Sequence, residues 1–143
     1  MDKDSLLVLD ELNKGCSMGI ESLEIIEEKA TNKTFKRLIF NLIKKYEEMS
    51  TKINSLHEIE TDEEAKDNST MAKAMTWGGI QMRTIADSSD SKLAELSMQG
   101  LNMGIIEGRK FLNHGEIDER VLNILREYVD VQEEYVEDFK DYL

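Results

Sequence analysis

Apolar residues fall on single stripes at alternating steps of three and four along most of this chain, the period of helices that each bury one face. Between residues 5 and 30 the stripe is Leu9, Leu12, Cys16, Gly19, Leu23, Ile26 and Ala30. Asp4 or Ser5 is placed to cap its start by accepting free amide hydrogens of the first turn. After the short turn Thr31-Asn32, with Asn32 as the next N-cap, a second stripe runs over about 33–59. It carries Phe35, Leu38, Leu42, Tyr46, Met49, Ile53 and Leu56. So short a link between two long helices predicts an antiparallel hairpin.

The polar stretch 60–69 reads as a solvated crossover, in which Thr61 and Glu64 could form a capping box. A third helix is predicted over about 69–87. Asp87-Ser88-Ser89-Asp90-Ser91 breaks it and caps a fourth over about 91–113. Asn113-His114-Gly115 predicts a stop there through a left-handed glycine. A last helix over about 117–142 carries Val121, Ile124, Tyr128, Val131 and Tyr135 on its stripe. With no proline in 143 residues, nothing in the backbone interrupts these elements.

The chain repeats itself. Gly15-Cys16-Ser17-Met18-Gly19-Ile20 returns 85 positions later as Gly100-Leu101-Asn102-Met103-Gly104-Ile105. At an offset of 82, Phe35, Ile39, Leu42, Tyr46 and Met49 fall on Ile117, Val121, Ile124, Tyr128 and Val131. The prediction is a single all-α domain over 1–143: hairpin one at about 5–59, a crossover with an extra helix at about 60–90, and hairpin two at about 91–142. Two hairpins joined by a long crossover have ferritin-like four-helix-bundle connectivity. The repeated Gly-x-x-Met-Gly-Ile and the stretch Ala74-Met75-Thr76-Trp77-Gly78-Gly79-Ile80 resemble bacterial proteins of the ferritin-like superfamily without assigned activity. That resemblance spans nearly the whole chain and implies the bundle and oligomerisation, with no specific chemistry.

The usual chemistry of such bundles is a di-metal carboxylate centre, which takes an inward Glu on two helices and Glu-x-x-His on the other two. Asn54 and Phe111 stand three residues before His57 and His114, so neither histidine completes the motif. The weak metal candidates are His57, His114 and Glu107, the last read as facing inward beside Gly104 and Gly108. No cofactor and no catalytic residue is assigned. Gly15, Gly19, Gly100, Gly104 and Gly108 are spaced at i, i+4 on their helices. Each costs about 1 kcal/mol relative to alanine in a helix interior. The offset is expected from close approach of the first and fourth helices, or from a small ligand lying against bare backbone. Met71, Met75, Trp77 and Met82, on the helix outside the repeat, are the candidate interaction surface. Tyr128, Tyr135 and Tyr142 read as core-edge rings, Cys16 as a small buried hydrophobe, and Lys33, Lys36, Arg37, Lys44 and Lys45 as a solvated face.

Charge and composition narrow the class. The formal net charge is −12, with 10 acidic against 3 basic residues in 116–143, so a phosphate backbone or an anionic membrane surface is disfavoured. No apolar run reaches the roughly 20 residues of a bilayer span. The start lacks signal-peptide layout, and one cysteine cannot form an internal disulfide, which fits a reducing compartment. The expectation is a cytoplasmic, non-catalytic interaction or structural protein, a homodimer with a possible further protein partner. The alternatives are an unconventional metal-binding or redox bundle and a small-ligand carrier.

Overall fold

The computed structural model describes residues 1–143 and is all-helical. Helices α1 (Lys3–Lys29) and α2 (Lys33–Thr61) form the first hairpin. Helix α3 (Thr70–Thr84) lies in the crossover. Helices α4 (Asp90–His114) and α5 (Glu119–Phe139) form the second hairpin, followed by a short 3-10 turn at Lys140–Tyr142.

The caps explain the boundaries. Asp2, rather than Asp4 or Ser5, caps α1, accepting the Ser5 amide at 2.8 Å. Ser5 is wholly buried, and its hydroxyl accepts the Asp118 amide at 2.9 Å, fastening the start of α5 beside the start of α1. Asn32 caps α2 as expected, and within the expected capping stretch 87–91 it is Ser89 that caps α4. The expected Thr61–Glu64 box does not form. Ser69 caps α3, and Asp62 turns the chain out of α2 at φ 64°, the one non-glycine residue in left-handed conformation. Helix α3 ends at Thr84, short of the expected 87. Asp87 accepts the Ser89 amide at 3.0 Å, an Asx turn that competes with helix. Gly115 does not use its left-handed freedom: its φ is −146°, ordinary extended backbone.

Pairwise ties fix the helix directions. Lys52 reaches Glu127 at 2.9 Å, and Phe35 meets the Phe139 ring edge-on at 5.8 Å, so α2 and α5 run antiparallel. Asp90, the first residue of α4, accepts the Thr31 and Asn32 amides, each at 2.9 Å, and so sits on the α1–α2 turn. Helix α3 runs beside α1 in the same direction: Asn68 donates to the Lys14 carbonyl, Lys73 pairs with Glu21, and Lys29 donates to Gln81. The crossover therefore travels the length of the bundle, leaving α2 and α4 pointing the same way.

The core is a cluster of 25 buried apolar residues that includes most of the expected stripes of α1, α2 and α5 and adds Ala65, Leu93, Ala94, Leu96, Leu101 and Phe139. Leu9, Leu12, Phe35, Ile39, Leu42, Met49, Ile53, Leu93, Leu125 and Phe139 are at most 2% exposed, each contributing about 1.5–3 kcal/mol by leaving water. Leu38, Leu56 and Val131 are half-buried at its margin. Helix α3 adds little, burying only Ile80 and Thr84.

Candidate functional site

Three of the four repeated glycines (Gly15, Gly19 and Gly104), and Gly108 beyond the repeat, are sockets for side chains from α2 and α5. A methyl group on Gly19 would lie 2.7–3.0 Å from three atoms of the Tyr46 ring. On Gly15 it would overlap the Tyr128 hydroxyl, on Gly104 the Gln132 amide, and on Gly108 it would stand 2.5 Å from Val129 Cγ2. The atoms nearest these four glycines are side chains of α2 and α5 rather than backbone of the opposite repeat helix. Nor do these glycines line an empty ligand gap, because tyrosine, glutamine and valine occupy the space. Gly100, the repeat partner of Gly15, has no neighbouring atom within 4 Å. Bare backbone here trades helix propensity for large side chains crossing close to the helix axis.

Glu107 does not face inward. It is exposed, as is His114 at the end of α4. Glu107, His57 and His114 are not brought together, and no three His, Cys, Asp or Glu side chains converge where an ion could be held. Cys16 is fully buried, and desolvation, then the charge of Glu127, pushes its thiol up to about 12. Burial likewise holds the Tyr46 and Tyr128 hydroxyls above the usual phenol range. None of these groups is poised as a nucleophile near neutral pH. The basic run on α2 is a solvated face, with Lys44 over the exposed Phe40 ring at 5.2 Å.

His57 belongs to a buried polar cluster that sequence spacing did not reveal. Its Nε2 lies 3.3 Å from Asp10 Oδ1, and its Nδ1 lies 2.7 Å from the Glu63 carbonyl. Asp10 Oδ1 also accepts the Lys66 amide at 2.8 Å. Asn13 donates to the Lys66 carbonyl at 3.1 Å, and Asn54 accepts the Ala65 amide at 3.0 Å. Ser50 donates to Asn13 Oδ1 at 2.8 Å. Thus α1 and α2 present side-chain groups that take up the backbone hydrogen bonds of residues 63–66, the obligation any buried loop carries. Both imidazole nitrogens are engaged within the chain, Nε2 by Asp10 and Nδ1 by the Glu63 carbonyl and the Thr61 hydroxyl at 3.0 Å, so neither is open to a substrate. The signal in the sequence was two polar stripes, Asp10-Asn13-Ser17 and Ser50-Asn54-His57, that match across one hairpin.

Beside this clamp lies a cleft of about 420 Å³, bordered by Ser17, Glu21, Glu24, Glu64 and Asp67 with Asn13 and Asn54 at its floor. Its walls are polar and anionic. The carboxylates nearest α3 are engaged, because Lys73 reaches Glu21 and Asp67 at 3.4 Å each.

The largest apolar exposure is on α3. Met71, Met75, Met82 and Ile85 are 71–83% exposed, and Trp77 is 58% exposed. The four interaction-surface candidates therefore share an outward-facing helix, with Ile85 beyond its last turn. The segment Thr70–Thr84 holds no acidic residue, and its only charges are Lys73 and Arg83. A free, uncharged apolar stripe on a chain that is 34% charged is the kind of surface that marks a binding face.

No family model matches the chain, and comparison with curated proteins and with solved structures finds no match either. No helix is long and apolar enough to cross a membrane.

Proposed function

We propose that this chain is a non-catalytic, cytoplasmic interaction module built as a ferritin-like bundle, with α3 as its binding face. The observation that carries this reading is the unpartnered stripe Met71, Met75 and Met82, with exposed Trp77 beside it, on a helix that the core hardly uses. Ferritin-like connectivity is supported by the length-spanning crossover and by the recurrence of the glycine motif in both hairpins. The engagement of His57 and Asp10 with the crossover backbone weighs against an acid–base role for the one buried histidine.

Two measurements test the reading. Substituting Met71, Met75 and Met82 together by Gln is expected to change unfolding free energy in dilute solution by no more than about 0.5 kcal/mol, as for exposed sites. Loss of the folded state would make this stripe part of the core and end the proposal. Metal analysis of protein purified without chelator is expected to find iron, manganese, zinc and copper well below one equivalent. A tightly held stoichiometric metal would instead establish the unconventional metal-protein alternative.

A further inference from the structure

The seam of α3 is close to palindromic in position. Met71, Met75, Gly78, Met82 and Ile85 follow steps of four, three, four and three, so Gly78 has apolar residues seven positions away on either side. The two nearer methionines stand three before and four after it. Lys73 and Arg83, at minus and plus five, point some 140° away from that seam on a helical projection. Gly78 has no atom within 4 Å of where a side chain would begin, so nothing inside the chain accounts for a glycine in mid-helix.

We propose that α3 is a self-association helix: two copies of this chain pair antiparallel about a two-fold axis at Gly78. Met71 of one copy then lies near Ile85 of the other, Met75 lies near Met82, and the two glycines let the backbones approach at the crossing. This rests on the reading of α3 as a binding face and names its occupant.

Three observations favour a second copy over an unrelated partner. A seam whose two halves carry the same kind of residue at matching distances is self-complementary, which a two-fold interface demands. Charge selects the same face: two chains of net charge −12 repel, and α3 is the one long helix without a carboxylate. Lys73 is turned back onto Glu21 and Asp67 of its own chain, leaving the seam uncharged. Area points the same way: the three methionines and Ile85 on the seam are each 71–83% exposed and supply the larger part of the roughly 800 Å² that each partner contributes to a standard interface.

The test is sedimentation or light scattering of the full chain across concentration, with variants. The wild type is expected at twice 16.5 kDa. The double variant Met75→Glu/Met82→Glu is expected at 16.5 kDa with unchanged helical circular dichroism. In a Cys16→Ala background, Gly78→Cys should cross-link to its own copy under copper–phenanthroline oxidation, since residues on the axis come within disulfide reach. Met71→Cys should cross-link only when mixed with Ile85→Cys, which reports the antiparallel order even if the glycine variant folds poorly. A monomer at all concentrations, a dimer indifferent to the glutamates, or Met71→Cys linking to itself would each overturn the pairing. The dilute-solution stability and metal content that test α3 as a binding face do not depend on that mass, so the two failures are separable.

Discussion

The Tyr46 hydroxyl donates a 2.9 Å hydrogen bond to Gln132 Oε1 in the middle of the bundle, joining α2 to α5. Gln132 in turn donates to the Tyr128 carbonyl at 3.0 Å. Beneath Tyr46 is Gly19 and beneath Gln132 is Gly104, the same position in the two copies of the repeated motif. The echo in the sequence is thus the pair of sockets under one buried hydrogen bond between hairpins. Tyr46→Phe leaves the Gln132 oxygen buried without its donor and should cost about 1–3 kcal/mol in denaturant unfolding. Tyr46→Phe/Gln132→Leu should cost less than the sum of the single changes, and strict additivity would show that the bond carries no coupling.

The glycines should divide by what a methyl group would meet. Gly19→Ala presses on the rigid Tyr46 ring, and Gly104→Ala displaces Gln132 from its hydrogen bonds. Each should destabilise by about 1–3 kcal/mol through overpacking. Gly100→Ala and Gly79→Ala enter open space and should stabilise by up to about 1 kcal/mol from helix propensity alone. Thermal unfolding of the four variants decides the matter. Equal signs across the set would refute the socket account.

Asp90 should make the protein acid-sensitive. Burial by itself would raise its carboxyl, but the Thr31 and Asn32 amides and the Thr31 hydroxyl outweigh that and hold it below the ordinary 3.8. Because the folded state binds this proton less readily than the unfolded chain, the stabilisation is complete above about pH 4. It is lost as pH falls through the lowered folded value. Asp90→Asn should reduce stability at pH 7 by about 1 kcal/mol, a figure discounted for its exposure. The difference from wild type should vanish in strong acid.

At high pH the sign reverses. Desolvation raises Cys16 from 9.0 to about 12, and Tyr46 is raised by its own burial and by Tyr128 and Cys16. Folded Cys16 and Tyr46 hold their protons more tightly than the unfolded chain does, so their stabilisation is full below about pH 9 and is lost as pH rises toward 12. Stability should fall over that window, and Cys16→Ala should shift the onset upward. At pH 8 the native thiol should react with iodoacetamide only on unfolding. Rapid labelling of the folded protein would contradict its burial.

The polar clamp should govern the crossover. Asn13 Nδ2 donates to the Lys66 carbonyl, while Ser50 and Asn54 donate to Asn13 Oδ1. Asn13→Ala should cost about 1–3 kcal/mol and open the loop, seen as faster tryptic cleavage after Lys66 with the helical signal retained. Unchanged cleavage would mean that His57, Asp10 and Asn54 hold the loop without it.

Periodicity and end signals by themselves determined the five helices, the core stripes of α1, α2 and most of α5, and the cap at Asn32, while the core residues of α4 went unmarked. Each feature so determined depends on neighbours within a few positions along the chain. The sequence also marked Met71, Met75, Trp77 and Met82, because a helix outside the repeat had no stripe to answer it. Other features waited on tertiary structure. Glu107 shares a line with Gly104 and Gly108, yet α5 covers the two glycines and leaves the Glu107 side chain in water, which spacing along one helix does not reveal. Which residues fill the glycine sockets depended on α5 lying across from α2. Asp10 and His57, 47 positions apart, meet because the hairpin folds back and the crossover backbone needs hydrogen-bond partners there. Local spacing sets which atoms can share a helix face, whereas only the packing of helices sets what that face meets.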